Sequence, residues 1–325
     1  MIIDDISKEV FGKLGSGWIV SCLIPSAILF AVIGIALFIE PPHEMIRQHQ
    51  ALQRLCTSIP KTWWPGVIIL LIIFTGLCLK FCTPYIIRFY EGYGPFSLFR
   101  PLEQRRFRNI EKRLKAFMKE VKKTPRTNTN TSEFQQLEQK AHALEYHLRS
   151  SFPPPEYVMP TALGNIIRAA EIHGLVHYGI DAIILWPRLL PFVPEKITKA
   201  LGEAYNSMVL CLNTSIIFYT LSLFWLIYFG RLKNITTLIF LPVPILFLLG
   251  CLSYKASLTS GRDFGHQLCA AVDLSRWKLL KELRYPYPKD HNEEVQLWQE
   301  ISKFLYGGPP VQRNYKYEHK DLKDS

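Results

Sequence analysis

WIVSCLIPSAILFAVIGIALFI, the run from Trp18 to Ile39, holds 22 residues and no charge. At about 1.5 Å per residue, a helix of that length covers the roughly 30 Å hydrocarbon core of a bilayer. A cleaved signal peptide would have a shorter apolar region ending at a small-residue cleavage site. Here the run is followed by Glu40-Pro41-Pro42-His43. It therefore reads as a membrane span, and the rest of the chain is to be searched for its neighbours.

Three further apolar blocks answer that search. Trp63 to Leu79 is opened by Trp63-Trp64-Pro65, with indoles suited to a headgroup boundary and a proline suited to a first helical turn. After Lys80, the stretch Phe81 to Tyr90 stays apolar apart from Arg88, so this helix is expected to continue past the bilayer. Met208 to Phe229 and Ile235 to Leu252 follow, separated only by Gly230-Arg231-Leu232-Lys233-Asn234, which leaves room for a tight hairpin alone. Pro242 and Pro244 are expected to kink the fourth helix. Overall, 49% hydrophobic and 20% charged residues in 325 fit a soluble or a membrane protein equally. The segregation of the 38 Lys and Arg from the apolar blocks decides for the membrane.

The predicted fold is all-α, a polytopic membrane protein with four transmembrane helices in two antiparallel pairs. Residues 1–17 form an N-terminal segment, and residues 18–87 hold the first two spans with an extracytoplasmic loop at 40–62. Residues 88–206 form a basic region, 207–254 hold the last two spans, 255–308 form C-terminal helices, and 309–325 form a tail. Positive charges near the helix ends set the orientation. With an even number of spans, Lys8, Lys13, Lys80, Arg88, Arg100, Arg188, Lys196, Lys199, Lys255 and Arg262 share a side. Opposite them lie Arg47, Arg54, Lys61, Arg231 and Lys233. The excess places both termini and the basic region in the cytoplasm, at the inner membrane. The basic middle region, which supplies most of the formal net charge of +11, then faces the anionic leaflet, a lipid partner favoured here over nucleic acid. The seven cysteines are scattered, five of them within or beside apolar blocks, and suggest neither a disulfide framework nor a metal site.

Within the basic region, Phe107, Ile110, Leu114, Phe117 and Val121 recur at intervals of three and four, as do Phe134, Leu137, Ala141, Leu144 and Leu148. A polar stretch, Thr124 to Thr131, joins them. Two such stripes predict an antiparallel helical hairpin over 101–149. Thr161 is a candidate cap for a further helix. Residues 178–194 are too short to span and too apolar for an exposed loop. Two readings stand: an interfacial segment with Trp186 and Arg188 at headgroup level, or a segment packed beneath the bundle. Past the fourth span, Phe264, Leu268, Ala271, Val272, Trp277 and Leu280 mark one apolar face. Asp290 to Glu293 forms a capping box for a last helix with a stripe of Leu297, Trp298, Ile301, Phe304 and Leu305.

The run Pro160-Thr161-Ala162-Leu163-Gly164-Asn165 continues with Arg168-Ala169-Ala170-Glu171, then Tyr178-Gly179-Ile180-Asp181-Ala182 and Leu185-Trp186-Pro187-Arg188-Leu189. Together with Glu91-Gly92-Tyr93 and with Asp273-Leu274 and Arg276, it resembles the signature of a group of uncharacterised bacterial four-span inner-membrane proteins. The resemblance covers most of the chain from about Glu91 onward. It implies a bacterial source and the four-span layout, and it carries no activity with it. His177 stands where the group has an arginine.

Motifs for chemistry are sparse. The sequence has no Gly-x-x-x-x-Gly-Lys loop, no Gly-x-Ser-x-Gly elbow and no His-Glu-x-x-His. His173, His177 and Asp181 would share a face on an unbroken helix and are weak candidates for a metal site, but Gly174 and Gly179 argue for a break and for polar packing instead. Arg262, Asp263, His266 and Asp273 are candidates for an ion-pair network with Arg168 or Arg188. Arg188 is expected to hold the 178–194 segment through Asp181, Glu91 or Asp273, which makes that segment a coupling element. No cofactor is expected, and no catalytic residue. The spans contain no Asp, Glu, Lys, Arg or His in their interiors, whereas ion-coupled transporters need one at depth. Asn213, Ser215 and Thr220 could still line a pore between subunits. The favoured reading is a non-enzymatic scaffold, sensor or anchor that binds a cytoplasmic protein partner. The alternative is an oligomeric channel or membrane-disrupting effector of a bacterial defence system, built as a homo-oligomer. A membrane-bound hydrolase is third.

Overall fold

A computed structural model of the chain describes residues 17, 19–39, 60–123, 132–230 and 237–308. Among these residues every regular element is helical. The elements are α1 (Ile19–Ile39, opening with a π-helical turn over Ile19–Leu23), α2 (Trp64–Glu91), α3 (Arg100–Lys123), α4 (Ser132–Ser151), α5 (Ala162–Glu171), α6 (His173–Tyr178), α7 (Ala182–Leu189), α8 (Glu195–Gly230), α9 (Pro242–Glu282) and α10 (His291–Leu305). Helices α1, α2, α8 and α9 are long and apolar enough to cross a membrane. The expected loop with Cys56 (residues 40–59), the expected hairpin turn 124–131, residues 231–236 of the expected tight connection and residues 309–325 of the expected tail lie outside the described residues.

Two compact units divide the chain. Of the described residues, one unit is built from those up to Ile87 and from 205–259, the other from 88–204 and 260–308. The first is the apolar unit. Its core gathers Ala36 of α1, Leu246 of α9, and Ile217, Leu221, Trp225 and Phe229 of α8, with Leu79 of α2 packed against it. Outward, α2 exposes Ile69, Leu70 and Phe74, each more than half accessible. Large apolar side chains on that scale are costly in water and ordinary against acyl chains. Ser215 donates to the carbonyl of Gly250 at 2.9 Å, and Ser222 donates to that of Val243 at 3.0 Å. The contact positions fall along α9 as they rise along α8.

The fourth span differs from expectation at its start. Thr237–Phe240 is a 3-10 turn and α9 begins at Pro242. Pro242 and Pro244 therefore sit in the first helical turn, where a missing N–H has no helical acceptor to lose, and they do not kink the helix.

The second, charged unit contains α3 to α7, α10 and the charged part of α9. Helices α3 and α4 lie against each other, and Phe107 is buried with Phe152 and Val158, Ile110 and Leu148 packing beside them. In α10, Leu297, Trp298 and Ile301 are buried, but Phe304 is 45% exposed and does not belong to the stripe.

Candidate functional site

Two constructions in the charged unit concentrate its polar contacts. The first is a knot around Pro160 to Asn165. Thr161 caps α5 by accepting from the Gly164 N–H at 3.0 Å, and its own hydroxyl donates to the carbonyl of Tyr90 at 2.7 Å. Gly164 lies against the end of α2, where a Cβ would collide with the carbonyl oxygen of Glu91. Asn165 is fully buried. Its Oδ1 accepts from the Met159 N–H at 2.7 Å while its Nδ2 donates to Glu103 of α3 at 3.1 Å. Arg100 donates to the carbonyls of Val158 and Glu156. Three helices are thereby tied by one short segment, and both ends of the buried Asn165 amide have a partner, as a buried polar group requires. Glu91 itself is buried at the end of α2.

The second construction joins α6, α9 and α10. His173 Nε2 lies 2.9 Å from Asp273 Oδ1. Burial opposes protonation of His173, yet hydrogen bonds to Asp273 and Cys269 outweigh it and raise the imidazole pKa to about 10. The His177 ring is 4.6 Å from that of His173. It is held below the usual imidazole value by burial and then by the neighbouring His173 charge. Arg276 Nε donates to Glu294 Oε1 at 2.9 Å, and its Nη1 donates to the carbonyl of Asp273. The same guanidinium lies 4.2 Å from the centroid of the Tyr178 ring and 4.9 Å from that of Trp277. Both charges of this pair are largely out of water, at 16% and 8% side-chain exposure.

Several expectations are corrected by this geometry. His173, His177 and Asp181 do not share a helical face, because α6 ends at Gly179 with φ 75°. Asp181 then caps α7, accepting from the Ile183 N–H at 3.0 Å. The described residues hold no group of three His, Cys, Asp or Glu side chains placed to bind a metal ion. Arg262, Asp263, His266 and Asp273 do not form one ion-pair network. Arg262 donates to Ser151, His266 meets the Tyr146 hydroxyl, and Asp273 takes His173. Arg168 pairs with Glu171 at 3.2 Å within α5 and stacks on Tyr157.

Trp186 is completely buried, with Leu185, Leu189 and Ala182. It therefore does not stand at a headgroup boundary, and the segment packs as part of the charged unit. Arg188 is exposed and donates to the carbonyl of Ile184 in its own helix. Among the described residues no carboxylate pairs with it, so the anticipated buried pairs with Asp181, Glu91 or Asp273 do not exist.

The polar residues of the third span are also committed elsewhere. Asn213 is buried and donates to the carbonyl of Ser21 at 3.0 Å, Ser215 is buried against Gly250, and exposed Thr220 donates to Ile216 of its own helix. Asn213 and Ser215 join helices within one chain.

Sequence reasoning missed the Arg276–Glu294 pair and the two-sided role of Asn165. Glu294 carried a signal, since it falls on the same helical stripe as Leu297, Trp298 and Ile301, and a carboxylate in an apolar stripe needs a cation. Asn165 carried none beyond its place in the Pro160 to Asn165 run. No protein-family model, no curated protein and no solved structure matches the chain.

Proposed function

We propose that this chain is a non-enzymatic scaffold or sensor of a bacterial inner membrane. In this reading its four spans form two antiparallel pairs, both termini are cytoplasmic, and the charged unit presents a helical hairpin and C-terminal helices to a protein partner. The observation that carries the reading is how the titratable residues are spent. His173 with Asp273, Arg276 with Glu294 and Arg168 with Glu171 are each paired across or along helices, and Asp181 and Thr161 are caps. That is a means of fixing helices relative to one another. Meanwhile the unit exposes large side chains outside the spans, Tyr306 at 82%, Tyr287 at 53% and Val176 at 53%, where a partner could bury them.

A homo-oligomeric channel or effector keeps exposed Thr220 and half-buried Thr214 as polar groups on the third span, and a hydrolase keeps the His173–Asp273 pair with the Cys269 thiol and the Tyr178 hydroxyl hydrogen-bonded to it.

The test is photocrosslinking in cells from an aromatic photoreactive residue placed at Tyr306 and, separately, at Tyr287. The scaffold reading predicts one discrete adduct with a different protein at both positions. A ladder of adducts at multiples of the 37.6 kDa chain would instead support the oligomeric alternative.

A further inference from the structure

We infer that the outward face of α3 is a docking face for an anionic phospholipid surface. The inference rests on the membrane reading of the four long helices and adds to it the lipid class and the residues that recognise it. Helix α3 carries Arg100, Arg105, Arg106, Arg108, Lys112, Arg113, Lys115, Lys119, Lys122 and Lys123 against Glu103, Glu111 and Glu120. Packing sorts these charges. Phe107 turns inward to Phe152 and Val158, and Arg100 is engaged with two loop carbonyls. Glu103 is drawn to Asn165 and Arg106, and Glu111 is taken by Lys115 at 2.7 Å.

What remains is a shallow groove of about 680 Å³ lined by Leu102, Arg105, Arg106, Asn109, Ile110, Lys112 and Arg113, with Ile110 and Arg106 also reaching the Phe107 and Phe152 side. Among the described residues no carboxylate pairs with Arg105, Lys112 or Arg113. Leu102, which lines the groove, is 56% exposed, and Leu98, which precedes it in sequence, is 82% exposed. Leu98, Leu102, Arg105, Asn109 and Lys112 follow at intervals of four, three, four and three, so apolar side chains occupy one end of the stripe and cations the rest.

That layout matches a charged plane with a shallow apolar layer behind it. Guanidinium forks pair with phosphate oxygens in a bidentate manner, long basic stems let the charge reach the headgroups, and leucines at one end enter the acyl boundary. Nucleic acid would be met by exposed aromatics between the cations, and residues 105 to 113 of this face offer none.

The experiment uses the full chain with a fluorescent amino acid at Asn109, reconstituted in nanodiscs of phosphatidylcholine with increasing phosphatidylglycerol. Insertion into pure phosphatidylcholine tests the membrane reading by itself. The docking inference predicts a blue shift that grows with phosphatidylglycerol content and is removed by high salt. Each basic residue near an anionic surface contributes about a fivefold effect, so R105Q/K112Q/R113Q weakens the apparent phosphatidylglycerol affinity on the order of a hundredfold. The control K140Q/K278Q/K281Q, which neutralises exposed cations on other helices, leaves it unchanged, and matched thermal unfolding shows that both variants are folded. A shift independent of phosphatidylglycerol, equal loss in the control, or a shift produced only by added poly-glutamate would overturn the lipid assignment.

Discussion

At the residue scale, two arginines separate what looks ionic in the sequence from what is ionic in the fold. Arg276 is buried between Glu294 and the Tyr178 ring, whereas Arg188 is exposed and bonded to its own helix. Removing one member of a buried pair leaves the other charge uncompensated and costs about 3 to 5 kcal/mol. Arg276→Met should destabilise the protein by that order, and Arg188→Ala by no more than about 0.5 kcal/mol, as for an ordinary surface change. Denaturant unfolding in detergent, followed by a probe in the charged unit, measures both, and equal losses would contradict the assignment. The His173–Asp273 contact gives a pH signature. Its imidazole pKa is raised from 6.5 to about 10, so its contribution to stability is fully present below about pH 6.5 and is lost as pH rises through about 10. Thermal stability of the parent should therefore fall between pH 7 and 10 more steeply than that of His173→Gln. Parallel curves would show that the pair is not linked to folding.

At the element scale, Gly179 closes α6. It has φ 75°, and a Cβ there would come 2.5 Å from the carbonyl oxygen of Val295 in α10, so Gly179→Ala meets both backbone strain and a backbone clash. The variant should lose membrane yield and expose α10 to limited proteolysis before α3 or α4, and an unchanged cleavage pattern would count against the packing described. The helices themselves were legible because their signals are local. The three-and-four spacing of Phe107 to Val121, the cap at Thr161 and the Asp290 capping box each lie within a few turns of chain. The α6 break was legible in Gly179, whereas Gly174 lies inside the helix. What the sequence could not reveal was pairing at a distance. Asp273 is 100 residues from His173, and nothing near either residue says that they meet. Trp186 misled for a related reason, because an indole beside an arginine suits a headgroup boundary as well as it suits a core. Pro242 and Pro244 misled because the apolar block begins before the helix does.

At the scale of the whole molecule, four helices long and apolar enough to cross a membrane alternate with segments that hold most of the charge. The central claim is that the charged unit, with its ion pairs and basic α3 face, lies on the cytoplasmic side of that membrane. Ten cations near the helix ends on one side against five on the other carry this claim. Tyr306 is 82% exposed and Cys56 falls in the loop between the first two spans, so the two sides can be probed separately. The direct measurement is labelling with a membrane-impermeant maleimide on intact cells and on permeabilised cells, using Cys56 in the parent and a Tyr306→Cys variant. The account predicts that Cys56 reacts in intact cells and that the cysteine at position 306 reacts only after permeabilisation. Reaction at position 306 in intact cells, with Cys56 protected until permeabilisation, would place the charged unit outside and contradict it.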